Sequence, residues 1–159
     1  MEALSKTQTH PAVLVSASAV GYYGDRKEEI LTEESAPGTD FLAQLCVAWE
    51  AEAQKASALG VRVVAIRTAN VVGPGGLLAT LRPVFMKGLG GYFGSGQQRM
   101  PWVHVADIVG IYMYAIEHEC SGAYNTGAGE TPTQADLFRA YARSINAFRP
   151  WHIPGVMAW

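Results

Sequence analysis

Pro11-Ala-Val-Leu-Val-Ser16-Ala-Ser18-Ala-Val-Gly-Tyr22-Tyr23-Gly24 is the stretch that decides the fold. The apolar run from Ala12 to Ser16 is short and ends in small residues, the pattern of a parallel strand buried on both faces with a loop at its carboxyl end. Glycines and charges follow from Gly21 to Glu34, and Pro37-Gly38 marks a turn. Thr39 or Asp40 can cap the next helix. Its apolar positions, Leu42, Leu45, Cys46, Trp49 and Ala53, repeat at i, i+3, i+4, i+7 and i+11, which is one helix face. Gly60 terminates it, and the β-branched run Val61 to Ile66 reads as a second buried strand. Strand, helix and strand with short links form a βαβ unit, for which parallel strands and a right-handed crossover are expected.

Downstream, Pro74-Gly75-Gly76 is a loop and Leu77 to Leu89 is helical despite Pro83. Gly88, Gly90, Gly91, Gly94 and Gly96 make an open, turn-rich segment, and Pro101 to Val105 is a short extended piece. Asp107 can cap a helix running to about Glu117, Ala123 to Thr126 is a third short strand, and Thr133 can cap a helix through Ile145. From Phe148 to Trp159 the chain is rich in aromatics and proline.

A chain of 159 residues fits one domain, with 49% apolar and only 16% charged residues. That balance suits a globular α/β core and excludes a disordered chain. A net charge of -2 and no basic stripe argue against a nucleic-acid partner. The apolar runs are broken by charges well short of a membrane span, and Met1 to His10 lacks the apolar region of a secretory signal, so a cytoplasmic location is expected. Cys46 and Cys120 lie far apart and read as reduced, buried thiols. His10, His104, His118 and His152 show no ligand spacing, so no metal is expected. His104 and Asp107 read as loop-bracing and helix-capping residues.

In a doubly wound sheet, ligands bind at the carboxyl ends of the strands. Ser16 to Gly24, Arg67 to Pro74 and Asn125 to Gly129 all fall there. Small residues at Ser16 and Ala17 let a cofactor ring approach the backbone. Ser18 can donate to a substrate oxygen, and Tyr22 or Tyr23 can supply a phenol as acid or stack on a ring. The alternative is that the serines satisfy local turn backbone and the tyrosines pack. Gly94-Ser-Gly96 and Gly127-Ala-Gly129 begin like a dinucleotide fingerprint, but Arg99 and Pro132 stand where its third glycine belongs.

The ordered motifs Ser16 to Gly24, Arg67-Thr-Ala-Asn70-Val-Val-Gly-Pro74, Trp102-Val-His-Val-Ala-Asp107 and Tyr124-Asn-Thr-Gly127 resemble the second half of an extended short-chain dehydrogenase/reductase. This group holds the NAD(P)-dependent sugar-nucleotide epimerases and dehydratases. With Trp49-Glu50, Gly94-Ser-Gly-Gln-Gln98 and Trp102-Val-His104, the match covers Val13 to Pro154. It points to the atypical "epimerase family protein" branch, which carries a small C-terminal domain. The resemblance implies a partial Rossmann-like, doubly wound parallel α/β sheet holding only the later strands and helices. On this reading residues 11–147 are the later half of an epimerase domain, and 148–159 begin a truncated C-terminal segment. Asn70, Val71 and Val72 become cofactor-facing and Arg67 structural, while Gly75 and Gly76 open the substrate side. Gln97, Gln98 and Arg99 match a region that holds a nucleotide phosphate or sugar.

The resemblance also exposes a departure. Extended members place a Tyr and a Lys one helical turn apart, the Lys assisting the Tyr as acid or base. Here Leu42 and Cys46 occupy those positions, or Phe41 and Leu45 in the neighbouring register. Ser18 matches the remaining Ser/Thr position, so Ser18 with Tyr22 or Tyr23 are the candidate catalytic groups. No glycine-rich phosphate loop precedes Ser16, so weak or no binding of NAD or NADP is expected of this chain by itself. The first strand is expected to lack a neighbour, which invites self-association. Two functions stay open: isomerase or oxidoreductase chemistry on a nucleotide sugar or other alcohol or carbonyl substrate, in an intact relative, and a non-catalytic nucleotide-binding or interaction module.

Overall fold

Val63, Val64, Ala65 and Ile66 are all buried because the strand that holds them lies between two others. The computed structural model describes Leu4, Lys6, Thr7 and residues 9–154. In chain order its elements are β1 (Val13–Ala19), α1 (Phe41–Gln54), β2 (Arg62–Thr68), β3 (Asn70–Val72), α2 (Gly76–Met86), β4 (Gly91–Phe93), β5 (Trp102–His104), α3 (Val105–Glu117), β6 (Gly122–Asn125), α4 (Gln134–Ser144) and β7 (Trp151–Ile153). Single turns of 3-10 helix occupy Val20–Tyr23 and Lys55–Leu59. Helices follow β1, β3, β5 and β6, and every strand pair among the described residues is parallel, the α/β Rossmann-like class the sequence implies.

The chain divides into two compact units, 1–69 with 106–126, and 70–105 with 127–159. The first holds a sheet of order β1-β2-β6. Its register sets Ser18 beside Arg67 and Arg67 beside Asn125, so three polar residues form one row near the carboxyl ends of the strands. The βαβ expectation holds: Asp40 caps α1 by accepting from the Ala43 amide, and Gly60 ends the following 3-10 turn at φ 75°. At the other end of β2, Arg62 donates to the carbonyls of Ala115, Ile116 and Cys120, placing a cation at the C-terminal end of α3.

Three readings need correction. β1 is half-buried, with Ser18 alone fully covered, because the strand is paired with β2 on one side only. The inner face of α1 is Ala43, Cys46, Glu50 and Ala53, rotated from the predicted stripe: Leu42, Leu45 and Trp49 are 61%, 39% and 52% exposed. Against the sheet the helix presents small residues and one carboxylate, and its bulky apolar residues turn outward. Asp107 is not a cap, because α3 starts at Val105 and Asp107 lies inside its first turn, where it still complements the helix dipole.

Cys46 is nevertheless buried and Cys120 half-buried. We expect Ellman's reagent to label Cys120 first, with Cys46 reacting only as the unit opens. Fast labelling of Cys46 in a folded Cys120→Ala variant would contradict this placement.

In the second unit β3 pairs with β5 and β4 with β7. The glycine-rich segment thus contains a strand, and its partner lies in the C-terminal stretch; residues 155–159 of that stretch lie outside the described residues. Leu78, Phe85, Phe138 and Ala142 form the core between α2 and α4, with Phe85 edge-on to both Phe138 and Tyr141. Thr133 caps α4 as the sequence predicts, accepting from the Asp136 amide, and Pro83 lies inside α2.

Candidate functional site

The row Ser18, Arg67, Asn125 becomes a site because α1 and the loop after β1 close over it. Glu50 is the polar member of the inner stripe of α1, and it meets Arg67 with two hydrogen bonds, Nε to Oε1 at 2.9 Å and Nη2 to Oε2 at 2.8 Å. Ser18 donates to the same carboxylate at 2.6 Å. The other guanidinium nitrogen, Nη1, donates to the Tyr23 hydroxyl at 2.8 Å and to the Glu33 carbonyl at 3.1 Å. The Tyr23 hydroxyl in turn donates to Asn125 Oδ1 at 2.7 Å, and the Asn125 backbone N–H donates to Glu33 Oε1 at 2.8 Å. Tyr22 lays its ring on the guanidinium, 3.5 Å from Arg67 Cζ to the centroid, and meets Tyr23 edge-on. A fork-to-fork Arg–carboxylate pair fixes both partners in one orientation.

Burial raises the cost of charge here, and the pair offsets it. Burial pushes the Glu50 carboxyl up, but the hydrogen bonds from Arg67 and Ser18 and the charge of Arg67 outweigh it and hold the group below its ordinary value of 4.5. Burial works against the Arg67 charge too, and its bonds to Glu50 and Tyr23 raise it instead. Both groups are therefore charged at neutral pH.

The loop that carries the tyrosines is held by glycines. The Gly38 amide donates to the Tyr22 carbonyl at 2.9 Å, and a Cβ on Gly38 would stand 2.8 Å from the Tyr23 carbonyl oxygen. The predicted Pro37-Gly38 turn lies instead at Glu33-Glu34, closed by the Ser35 amide on the Thr32 carbonyl, and Gly38, which lies in no turn, clamps Tyr22 and Tyr23 against Arg67.

Of the residues selected from sequence, the structure joins Ser18, Tyr22 and Tyr23 in this network. Ser18 is 4% and Tyr23 2% exposed, and the Tyr23 hydroxyl both donates and accepts. Tyr22 is half-buried, and its hydroxyl makes no hydrogen bond among the described residues. Ser16 and Ala17 instead border an open, mainly apolar cleft of about 400 Å³ with Leu14, Trp49 and Ala53. Asn70, Val71, Val72, Gly75, Gly76, Gln97, Gln98 and Arg99 belong to the second unit. There Asn70 donates to the Pro101 carbonyl, Gln98 to the Phe93 carbonyl and to Gln134 Oε1, and Arg99 to the Thr131 carbonyl. Gly76 opens α2 at φ 76°.

Sequence reasoning missed Glu50, Glu33 and Asn125 as partners. Glu50 carried a signal, a carboxylate on the helix between two buried-type strands, but its partner Arg67 lies 17 residues away. Asn125 lies 102 residues from Tyr23, and only the strand register reveals that proximity.

Residues 1–127 match the model of the NAD dependent epimerase/dehydratase family. The chain is 42% identical over 147 residues to epimerase family protein Mb2239 of Mycobacterium bovis, covering 91% of this chain and 49% of that protein. The structure is similar to that of human epimerase family protein SDR39U1 with NADPH, at a TM-score of 0.86 and 28% identity, covering 98% of this chain and 54% of that one. It is also similar to the nucleoside-diphosphate sugar epimerase of Corynebacterium glutamicum, at a TM-score of 0.79 and 36% identity, covering 95% of this chain and 34% of that one. The chain spans about half the length of the curated relatives it matches. Among the described residues, no helix is long and apolar enough to cross a membrane.

Proposed function

We propose, for a chain that belongs to the NAD dependent epimerase/dehydratase family, that its strand ends carry the acid–base side of a dinucleotide-dependent site acting on an alcohol or carbonyl carbon, with nucleotide sugars as the substrate class. The observation that carries this reading is the Ser18 hydroxyl at the carboxyl end of a parallel strand, 2.6 Å from a charged acceptor. When bound, NAD or NADP supplies hydride acceptance and donation. Ser16 and Ala17, small residues that border the apolar cleft beside Leu14 and Trp49, are proposed to face the ring side of such a group. Asn70, Val71 and Val72 are proposed to face the cofactor, and Gly75, Gly76, Gln97, Gln98 and Arg99 the substrate.

Ser18 has its proton committed to Glu50, so its oxygen lone pairs are what it offers to a substrate hydroxyl. The substrate hydroxyl donates to Ser18 Oγ, and Glu50, held charged by Arg67, fixes the serine in place and does not take up a proton. Tyr22 supplies the phenol, because its hydroxyl is not used within the protein and that of Tyr23 is. In place of a lysine, the cation held beside the two tyrosines is Arg67.

The test is turnover: a longer protein that joins this segment to a dinucleotide-binding half, given NADP or NAD and a panel of nucleotide sugars, is expected to show hydride transfer. A second reading is favoured by the near-complete burial of Ser18 and Tyr23 and by the Tyr23 hydroxyl both donating and accepting within the protein. On it the network is a brace and the segment serves binding without chemistry; absence of turnover across the panel, with dinucleotide still bound, selects it.

The chain by itself has no fingerprint glycine loop for the pyrophosphate. Isothermal titration of NADPH and NADH into it is expected to show only weak binding or none, and micromolar or tighter affinity would overturn that expectation.

A further inference from the structure

A cleft of about 480 Å³ in the second unit is lined by residues of β3, α2, β5 and α4 and their flanking turns, among them Val72, Leu78, Trp102, Leu137 and Tyr141. Its size is that of a small-molecule site, and its lining is mostly apolar, as such sites require. The polar groups in it are unevenly committed. The Tyr141 hydroxyl donates to the Leu78 carbonyl, and the Ser144 hydroxyl donates to the Tyr141 carbonyl. Two donors are left over. Arg82 is exposed and its guanidinium has no hydrogen-bond or ion-pair partner among the described residues. Trp102 is half-buried, and its indole N–H likewise has none among the described residues. Among the described residues no carboxylate lines the cleft. An apolar trough with a free cation, a free N–H donor and no acid selects a ligand with an apolar body and an anionic acceptor, and disfavours a cation or a purely apolar molecule.

We infer that this cleft is a binding site for an amphipathic carboxylate: a flat or branched apolar body seated between α2 and α4, with its carboxylate on Arg82 and within reach of the Trp102 indole. None of Ser18, Tyr22, Glu50 or Arg67 takes part, and although Val72 is shared with the residues proposed to face the cofactor, titration without dinucleotide tests the site independently of the proposed acid–base chemistry. Arg82 is suited to the task because its planar fork matches two carboxylate oxygens. Ala79 and Ala140, both in the lining, leave the room that the apolar body fills.

The experiment titrates the chain with 2-naphthoate by calorimetry and follows the tryptophan indole N–H signals by NMR, with Trp102 assigned through Trp102→Phe. One saturable site is expected, with the Trp102 signal shifted most. The neutral 2-naphthamide and the Arg82→Gln variant should each bind at least about tenfold more weakly, the loss expected when a charge-assisted hydrogen bond is removed. Ala140→Phe, which fills the trough, should abolish binding. Because Arg82 is exposed, Arg82→Gln keeps the fold even if the filling variant does not. Equal binding of naphthoate and naphthamide, unchanged affinity in Arg82→Gln, or shifts centred on another tryptophan would each overturn the proposal. So would binding that weakens with protein concentration as the hydrodynamic size doubles, because the cleft would then be covered by a second copy of the chain.

Discussion

Replacing Arg67 with methionine is expected to cost about 3–5 kcal/mol, the range found when one partner of a buried ion pair is removed. The side chains of Arg67 and Glu50 are 5% and 16% exposed, so the carboxylate left behind cannot recover full hydration. The loss is wider than one pair, because Arg67 also donates to Tyr23 and to the Glu33 carbonyl and carries the Tyr22 ring. Against a typical domain stability of about 5–15 kcal/mol, such a loss is large. Urea unfolding of wild type, Arg67→Met, Glu50→Gln and the double variant measures it, and the double-mutant cycle should return a coupling of at least about 1 kcal/mol. Additive losses would mean that the pair is not a unit. The pH dependence has a defined sign. Glu50 is held below its ordinary value of 4.5 in the folded chain, so its contribution is fully present above that value and is lost as the pH falls through the depressed native value. The stability gap between wild type and Glu50→Gln should therefore be constant from pH 7 to about 5 and close at lower pH. A gap that widens on acidification would rule out the charged form as the stabilising one.

In a longer protein that turns over, Ser18→Ala and Tyr22→Phe are expected to lower kcat by about 10²–10⁴-fold each, the usual contribution of a general acid or base. Tyr23→Phe should act differently. Its hydroxyl lies between Arg67 and Asn125, so its loss unbalances the network and lowers stability first, with a smaller effect on rate. Cys46→Ala should likewise affect stability more than rate, since Cys46 packs on the inner face of α1. Stopped-flow measurement of nicotinamide reduction, alongside thermal unfolding of each variant, separates the two effects. Turnover within about twofold of wild type in both Ser18→Ala and Tyr22→Phe is too small for a general acid–base group and would remove the assignment. A rate loss confined to Tyr23→Phe would return the phenol role to that residue.

Local chemistry made the architecture legible. The small-residue ending of β1, the Asp40 and Thr133 caps, the Gly60 stop and the β-branched run of β2 each act within a few residues, and together they specify parallel βαβ topology. Ser18, Tyr22 and Tyr23 could be selected because they follow the strand whose carboxyl end builds sites in this class of fold. Periodicity was less reliable for α1: an apolar stripe tells that a helix has two faces, but the packing against the sheet chose Ala43, Cys46, Glu50 and Ala53 and left Leu42 and Trp49 outside. By itself, then, the sequence determined the class of fold, the first βαβ unit and the loop that bears the hydroxyl groups, while the short strands Asn70–Val72, Gly91–Phe93 and Trp151–Ile153 came only from the structure. The tertiary structure alone decided that Arg67 pairs with Glu50, that Ser18 donates its hydrogen bond to that carboxylate, and that Tyr23 is spent on Asn125 while the Tyr22 hydroxyl makes no hydrogen bond among the described residues. The reason is physical: those bonds depend on strand register and helix rotation, which are fixed by close packing between residues 17 to 102 positions apart and leave no trace in any local pattern.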